Sequence, residues 1–174
     1  MAYPTAGVGG NMLEGNRGVL LVAGGEFYVE GLTNLTGKAN DRVIALNAST
    51  GSELWQFKVS CGLWQLMGLF PDEDTTLFQD QCGGMYRLGL FNGSLIWYTP
   101  GIPGTLSDGS AILGPDGSAY GCSMSKGSVL ADNIDPLHPG VVRKFRLSDG
   151  AVLWSQQTPY PCTNVAAVSR DGGT

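Results

Sequence analysis

The stretch RVIALNASTGSELW, which runs from Arg42 to Trp55, combines a short apolar run, a turn pair and a tryptophan. The apolar run has the composition of a β-strand, and Thr50-Gly51 favours a turn because glycine accepts positive φ without steric cost. The stretch also contains Asn47-Ala48-Ser49, which fits an N-glycosylation acceptor. It therefore has three interpretations: a functional site, a modification signal or a structural repeat.

The pattern occurs three times along the chain, which favours a structural repeat. Each copy has a turn pair and, four residues after the glycine, a tryptophan: Thr50-Gly51 with Trp55, Asn92-Gly93 with Trp97, and Asp149-Gly150 with Trp154. Three of the 4 tryptophans take this position, so chance is a poor explanation. A tryptophan buries roughly 150–250 Å² of surface. We therefore predict that the glycines and tryptophans pack one unit onto the next, with a tight hairpin turn at each glycine and a tryptophan ending the following strand.

The spacing of the copies indicates a β-propeller. Trp97 follows Trp55 by 42 residues and Trp154 follows Trp97 by 57. A repeat of about 40–50 residues with four short strands is the period of a propeller blade. Apolar runs bounded by turn residues predict further strands at residues 18–24, 63–70 with 75–81, 110–114 with 118–122, and the beginning of another hairpin at 164–172.

The sequence thus predicts an all-β fold, a partial β-propeller of four-stranded antiparallel blades. The blade-like units cover about residues 18–60, 61–100 and 101–160, and residues 161–174 begin the next blade. A row of blades has two open ends unless a ring of about 4–8 blades closes. We therefore expect the remaining blades of a longer chain as partners. Assembly of several copies into one ring is the alternative.

The repeat resembles the pyrroloquinoline-quinone (PQQ) type β-propeller repeat, whose hallmark reads roughly Ala-Leu-Asp-x-x-Thr-Gly-x-x-x-Trp. Unit one matches it from Ala45 to Trp55, with Asn47 in the aspartate position. Units two and three keep the glycine and the tryptophan but replace the alanine and the aspartate, by Arg87 and Gly89 in one and by Lys144 and Arg146 in the other. The resemblance covers about residues 18–174. It implies the fold but no single activity, because this family includes quinoprotein dehydrogenases, a bacterial outer-membrane-assembly lipoprotein and many proteins of no known activity.

The 4 cysteines suggest disulfides. Cys61 and Cys162 each precede the first strand of a unit, and Cys82 and Cys122 each end a second strand. Because the start of one strand in an antiparallel hairpin faces the end of the next, we predict a Cys61–Cys82 disulfide. Either Cys122 bridges to Cys162, or Cys162 has a partner outside these residues; four buried free thiols in a reducing compartment are the alternative. No Cys-x-x-Cys pair occurs and His138 is the only histidine, which argues against structural zinc.

Three sequons are candidate glycosylation sites, at Asn34, Asn47 and Asn92. Asn47 and Asn92 lie at or beside turns, where asparagine also serves turn chemistry, and for Asn92 we favour that explanation. Cysteines and sequons together indicate an extracytoplasmic compartment, either secreted or in the lumen of the secretory pathway. In a bacterium the periplasm would take its place, and the sequons would have no meaning there.

Units one and three are enlarged between their second and third strands, by residues 25–41 and 123–140. Loops of the same class emerge on the same face of a propeller, so we predict an enlarged loop face that binds a protein or a small ligand. The second insert carries Asp132-Asn133-Ile134-Asp135 and His138. The spacing and the distal glutamate of a calcium-binding EF-hand are absent, so no metal site is predicted.

Composition excludes several classes of protein. Apolar residues make up 43% of the chain, which excludes a disordered segment. Net charge is −5, and the only short basic run, Arg143–Arg146, sits in a strand-like pattern, so nucleic acid is not expected as a partner. No stretch of about 18 apolar residues occurs, so no membrane span is predicted in this segment.

The sequence shows no catalytic motif: no Gly-x-Ser-x-Gly, no phosphate-binding glycine loop and no histidine-based constellation. Quinoprotein dehydrogenases that resemble this repeat use a vicinal cysteine pair and calcium-binding residues near PQQ, whereas Cys82 is followed by Gly83. We therefore predict a non-catalytic scaffold or binding module with no evident cofactor. The alternatives are a fragment of a PQQ-dependent dehydrogenase, with PQQ and calcium, and a sensor domain of a larger receptor.

Overall fold

A computed structural model describes residues 13–14, 18–24, 41–63, 68–70, 74–107, 111–125 and 139–162. Within these ranges every regular element is a β-strand, and the strands form three antiparallel sheets. We call them blades 1, 2 and 3 in chain order. The described part of the chain contains no helix long and apolar enough to cross a membrane.

Each blade has four consecutive strands in spatial order. Blade 1 consists of β1 (Leu13–Glu14), β2 (Val19–Gly24), β3 (Arg42–Asn47) and β4 (Glu53–Lys58). Blade 2 consists of β5 (Gly68–Phe70), β6 (Thr75–Gln79), β7 (Met85–Gly89) and β8 (Leu95–Thr99). Blade 3 consists of β10 (Ile112–Leu113), β11 (Ser118–Ser125), β12 (Gly140–Arg146) and β13 (Val152–Thr158), and a further short strand, β9 (Thr105–Leu106), pairs with β11.

Some strand limits differ from those expected. Strand β11 does not end at Cys122, because its ladder with β12 continues to the pair Met124 and Gly140. The tryptophans do not end their strands either: Trp55 is the third residue of β4. The short strands β1 and β9 have too few residues for a periodic pattern and were not predicted. The hairpin expected at 164–172 lies outside the described residues.

The repeated turn is wider than a two-residue hairpin turn. In blade 1 the amide of Gly51 donates to the carbonyl of Asn47 at 2.8 Å, and four residues separate Asn47 from Ser52 across the loop. The equivalent amides of Gly93 and Gly150 make the same bond, and the three glycines have φ of +69°, +64° and +73°. A two-residue type I′ turn needs positive φ at two positions. Among the described non-glycine residues only Asp74 has it, so the repeated turn is not of type I′, while its glycine has the positive φ that the sequence predicts.

Trp55 packs blade 1 onto this turn of blade 2. Its indole Nε1 donates to the carbonyl oxygen of Leu90 at 2.8 Å. Its ring covers Gly93 so closely that a Cβ built there would lie 2.5 Å from Trp55 Cε3. Only a glycine at this position leaves room for the indole.

Trp97 repeats the contact between blades 2 and 3. Its Nε1 donates to the carbonyl of Leu147 at 2.7 Å, and a Cβ on Gly150 would lie 2.5 Å from Trp97 Cε3. Trp55 and Trp97 are 9% and 7% exposed, whereas Trp154 is 42% exposed. The two buried tryptophans thus have turns beneath them, and none of the turns in the described ranges lies beneath Trp154.

Two apolar cores follow from this stacking. The first lies between blades 1 and 2, where Trp55 packs near Phe78 and Tyr86. The second lies between blades 2 and 3 and contains Leu77 and Trp97. Strand β6 is buried at all five positions because its alternate side chains enter different cores. Blade 2 is therefore sandwiched by its neighbours.

Replacing Gly150 with alanine should destabilise the fold more than replacing Gly104 with alanine. Both glycines have positive φ, +73° and +79°, so each alanine costs about 1–2 kcal/mol of backbone strain. Only position 150 lies under an indole, and overpacking there adds about 1–3 kcal/mol. Urea unfolding followed by circular dichroism measures both losses. Equal losses in the free energy of unfolding would contradict the docking geometry.

Candidate functional site

In the two sequons that the structure describes, the asparagine side chain forms hydrogen bonds within a turn. Asn47 Oδ1 accepts hydrogen bonds from the amides of Ser49 and Thr50 at 2.9 and 3.0 Å. Asn92 is exposed, and its Oδ1 accepts from the amide of Ser94 at 3.0 Å. Asn34 lies outside the described residues. Both described asparagines therefore stabilise the repeated turn through their side-chain oxygens.

The structure pairs the cysteines in two disulfides. Cys61 is bonded to Cys82, and Cys122 is bonded to Cys162, with a Cα–Cα distance of 5.8 Å in each pair. The first bond connects the segment entering blade 2 to the loop between β6 and β7. The second connects the middle of β11 to the segment leaving blade 3. The sequence left open whether Cys162 pairs with Cys122 or with a cysteine outside these residues, and the structure pairs it with Cys122.

A buried carboxylate lies beside the first disulfide. Asp80 is 1% exposed. Its Oδ1 accepts from the amides of Cys82 and Gly84 at 3.0 and 2.7 Å, and its Oδ2 accepts from the Tyr86 hydroxyl at 3.0 Å. Burial raises the pKa of Asp80, against the opposing effect of these hydrogen bonds. The carboxylate thus organises the loop between β6 and β7.

Tyr86 connects this loop to blade 1. Its hydroxyl oxygen accepts from the amide of Ser60 at 3.0 Å, and its ring stacks on Phe78 with 5.1 Å between centroids. Burial raises the pKa of the phenol, and the nearby charge of Asp80 raises it further. The phenol therefore stays protonated at neutral pH and serves as a hydrogen-bond donor.

A buried arginine of blade 3 reaches into the same loop of blade 2. Arg143 is 5% exposed, and its guanidinium donates to the carbonyls of Gly83 and Pro100. It also lies 4.8 Å from the centre of the Phe145 ring. Burial lowers the pKa of Arg143, and the charge of Asp80 opposes this shift. The arginine therefore joins blades 2 and 3 at the end of the sheets opposite the repeated turns.

Arg87 joins the same two blades near the repeated turn. Its Nη1 donates to the carbonyl of Leu147 at 2.9 Å, the oxygen that also accepts from Trp97, and its Nε donates to Thr75 Oγ1 at 3.2 Å. Burial lowers its pKa. The sequence showed a basic residue in place of the repeat's alanine at this position, but not its role between the blades.

The charged side chains in this region therefore mainly hold backbone amides and carbonyls in position. Arg143 donates to two carbonyls, Arg87 to a carbonyl and a hydroxyl, and Asp80 accepts from two amides and a phenol. Each of these groups is buried with its polar atoms satisfied, which is how a folded protein accommodates buried charge. The two arginines stabilise the contact between blades 2 and 3, and Asp80 stabilises the loop between β6 and β7.

The two inserts occupy equivalent places in blades 1 and 3. Gly24 pairs with Arg42 at the ends of β2 and β3, and Met124 pairs with Gly140 near the ends of β11 and β12. Each insert therefore connects the second and third strands, where blade 2 has only the short loop that contains Asp80. Residues 25–40 and 126–138, including the Asp132–Asp135 run and His138, lie outside the described part of the chain.

The described residues do not fit the quinone site expected under the dehydrogenase alternative. Its vicinal cysteine pair would need two adjacent cysteines, and here the disulfides join residues 21 and 40 positions apart. Among the described residues, no group of three His, Cys, Asp or Glu side chains could hold a metal ion.

Comparison with known proteins shows the family. The family model described as outer membrane protein assembly factor BamB, of the PQQ-like repeat class, matches residues 11–172. Among curated protein sequences, none is significantly similar to the chain.

Several solved structures share the fold at low identity. Quinohemoprotein alcohol dehydrogenase from Comamonas testosteroni is 12% identical with a TM-score of 0.58, over 80% of this chain and 19% of that one. BamB from Moraxella catarrhalis is 15% identical with a TM-score of 0.50, over 90% of this chain and 47% of that one. The β-propeller domain of Cps50 (Swd1) from Myceliophteria thermophila is 10% identical with a TM-score of 0.57, over 88% and 44%. The chain thus spans about a fifth to a half of these structures.

The family match and these structures agree with the sheets described above, and they confirm the expected partial β-propeller fold. The chain belongs to the PQQ-like β-propeller family that includes the outer membrane protein assembly factor BamB.

Proposed function

We propose that the chain is a non-catalytic propeller module that binds a protein or a small ligand through the loops between the second and third strands of its blades. The observation that carries this proposal is that the buried charged side chains of blades 2 and 3 have backbone and hydroxyl groups as their hydrogen-bond partners. Asp80 is bonded to backbone amides and a hydroxyl within blade 2, and Arg87 and Arg143 donate to backbone carbonyls between blades 2 and 3. The rigid stack then leaves recognition to the loops.

The enlarged loops support binding on one side of the stack. In two of the three blades the connection between second and third strands is much longer than the Asp80 loop of blade 2. A rigid scaffold that carries long loops at one end is a common arrangement for recognition. The matched family is described as an outer membrane protein assembly factor, which also fits a role in binding proteins.

The alternative is a fragment of a PQQ-dependent dehydrogenase that uses PQQ and calcium. The likeness to quinohemoprotein alcohol dehydrogenase favours it, but the disulfide-bonded cysteines of this chain cannot supply a vicinal pair. A sensor domain of a larger receptor is the third candidate, and the same loops would then bind its ligand.

Adding PQQ and calcium to the chain should produce neither saturable binding nor dye reduction with a primary alcohol. Tryptophan fluorescence follows binding, and an artificial electron acceptor follows oxidation. Quinohemoprotein alcohol dehydrogenase is the positive control. Saturable PQQ binding coupled to dye reduction would overturn the non-catalytic proposal and support the dehydrogenase alternative.

We also propose an extracytoplasmic location for the chain, either secreted, in the secretory lumen or in a periplasm. The two disulfides support it, because such bonds persist in oxidising compartments and are rare in the cytosol.

The natively isolated protein, denatured without reductant, should then contain no free thiol. A thiol-reactive chromophore counts the thiols, and the same sample after reduction is the control and should give 4, the number of cysteines. Four free thiols before reduction would contradict both the disulfides and the location.

A further inference from the structure

Asn92 is the only one of the 8 asparagines in the chain that is followed by glycine. Glycine has no Cβ to hinder its own backbone nitrogen, so an Asn-Gly pair is the sequence in which that nitrogen most readily attacks the asparagine carboxamide. The Asn92 side chain is exposed, so water can reach it and ammonia can leave. The pair therefore combines the residue types and the exposure that deamidation requires.

Deamidation of this pair consumes only water and releases ammonia. The Gly93 nitrogen loses its proton and forms a bond to Asn92 Cγ, the bond from Cγ to Nδ2 breaks, and Nδ2 leaves as ammonia. Water then opens the succinimide ring that results. Cleavage between the nitrogen and Cγ gives aspartate. Cleavage between the nitrogen and the backbone carbonyl carbon of Asn92 gives isoaspartate, in which the chain continues through Cγ.

In the folded chain, hydrogen bonds hold both reacting groups. The amide of Gly93 donates to the carbonyl of Gly89 at 3.0 Å, and Asn92 Oδ1 accepts from the amide of Ser94 at 3.0 Å. The Asn92 carboxamide also lies against Gly89, where a built Cβ would be 2.5 Å from Oδ1. Attack requires the Gly93 nitrogen to give up its proton and turn toward Cγ, so its bond to Gly89 has to break. The turn must therefore open before the ring can form.

Trp55 of blade 1 opposes that opening. Its indole lies over Gly93, where a built Cβ would be 2.5 Å from Trp55 Cε3, and its Nε1 donates to the carbonyl of Leu90 in the same turn at 2.8 Å. Rotation of the peptide between Asn92 and Gly93 would push backbone atoms into the ring. Opening the turn therefore requires the indole to leave, which couples the chemistry at Asn92 to the contact between blades 1 and 2.

We propose that Asn92 is a site of spontaneous deamidation and that the docking of Trp55 on Gly93 sets its rate. While the indole is in place, the turn stays closed and the succinimide ring does not form. When blade 1 separates from blade 2, Gly93 is released and the reaction proceeds as in an unfolded chain. The extent of deamidation then records how often this contact has opened.

The two products have different consequences for the contact between blades 1 and 2. Aspartate fits the turn, because blade 3 has an aspartate at the equivalent position. Asp149 Oδ1 accepts from the amide of Ala151 at 3.0 Å, which is the bond that Asn92 forms in blade 2. Isoaspartate adds one carbon to the backbone of a turn that lies directly against the indole. The isoaspartate product should therefore release Trp55, whereas the aspartate product should keep it in place.

Mass spectrometry of the proteolytic peptide that contains Asn92 measures the reaction in the full chain. The chain is produced in a host without N-glycosylation, so that the carboxamide is free, and is incubated at mildly alkaline pH. Trp55→Ala should raise the rate of deamidation by at least about 10-fold, since loss of a buried tryptophan destabilises the contact that keeps the turn closed. The matched control is Trp97→Ala, which removes the equivalent indole from the blade 3 turn and should leave the rate at Asn92 unchanged.

Circular dichroism first establishes that both variants are folded. If an alanine variant does not fold, Trp55→Phe and Trp97→Phe replace the pair, because a phenyl ring fills part of the space of the indole. The wild type unfolded in urea gives the rate without protection. Equal rates at Asn92 in the two folded variants, or equal rates in the folded and the unfolded wild type, would overturn the proposal.

Tryptophan emission tests the two products. The wild-type chain, aged until deamidation is complete, contains isoaspartate, and its emission should shift to longer wavelength as Trp55 meets water. Asn92→Asp introduces the same charge without the added carbon and should keep the emission of the fresh wild type. An unshifted aged chain, or an equal shift in Asn92→Asp, would contradict the release of Trp55 by the added carbon.

Discussion

The packing of an indole on a glycine turn is the contact on which the rest of this structure depends. Burying a tryptophan removes roughly 150–250 Å² from water, worth about 4–6 kcal/mol at about 25 cal/mol per Å². The hydrogen bond from its Nε1 adds only about 0.5–1.5 kcal/mol. Apolar burial therefore supplies most of the stability, and the hydrogen bond orients the ring. The glycine is needed because a Cβ at Gly93 or Gly150 would overlap the indole.

The polar residues between blades 2 and 3 depend on that contact. Arg87 shares the Leu147 carbonyl with Trp97 near the turn, and Arg143 reaches Gly83 and Pro100 near the opposite end. A buried guanidinium is costly without partners, so these bonds form only when the blades are already close together. They define how the two blades are aligned, while the apolar core between them provides the driving force.

The repeat could be predicted from sequence because its turn and tryptophan recur at one spacing. Gly51, Gly93 and Gly150 mark a backbone that only glycine adopts easily. The exact turn could not be predicted, since the bond from Gly51 to Asn47 depends on how the strands leave the sheet. The roles of Arg87 and Arg143 could not be predicted either, because their partners are backbone carbonyls about 60 residues away. Every residue carries a backbone carbonyl, so the residue types in the sequence do not show which carbonyl will accept.

The central claim is that blades 1 and 2 are each held by an indole that packs on the turn of the next blade. Hydrogen exchange of the three repeat indole N–H groups, followed by nuclear magnetic resonance, tests it most directly. Trp55 and Trp97 donate to buried carbonyls and should exchange slowly. Trp154, at 42% exposure, should exchange much faster. Equal exchange at Trp97 and Trp154 would contradict the claim.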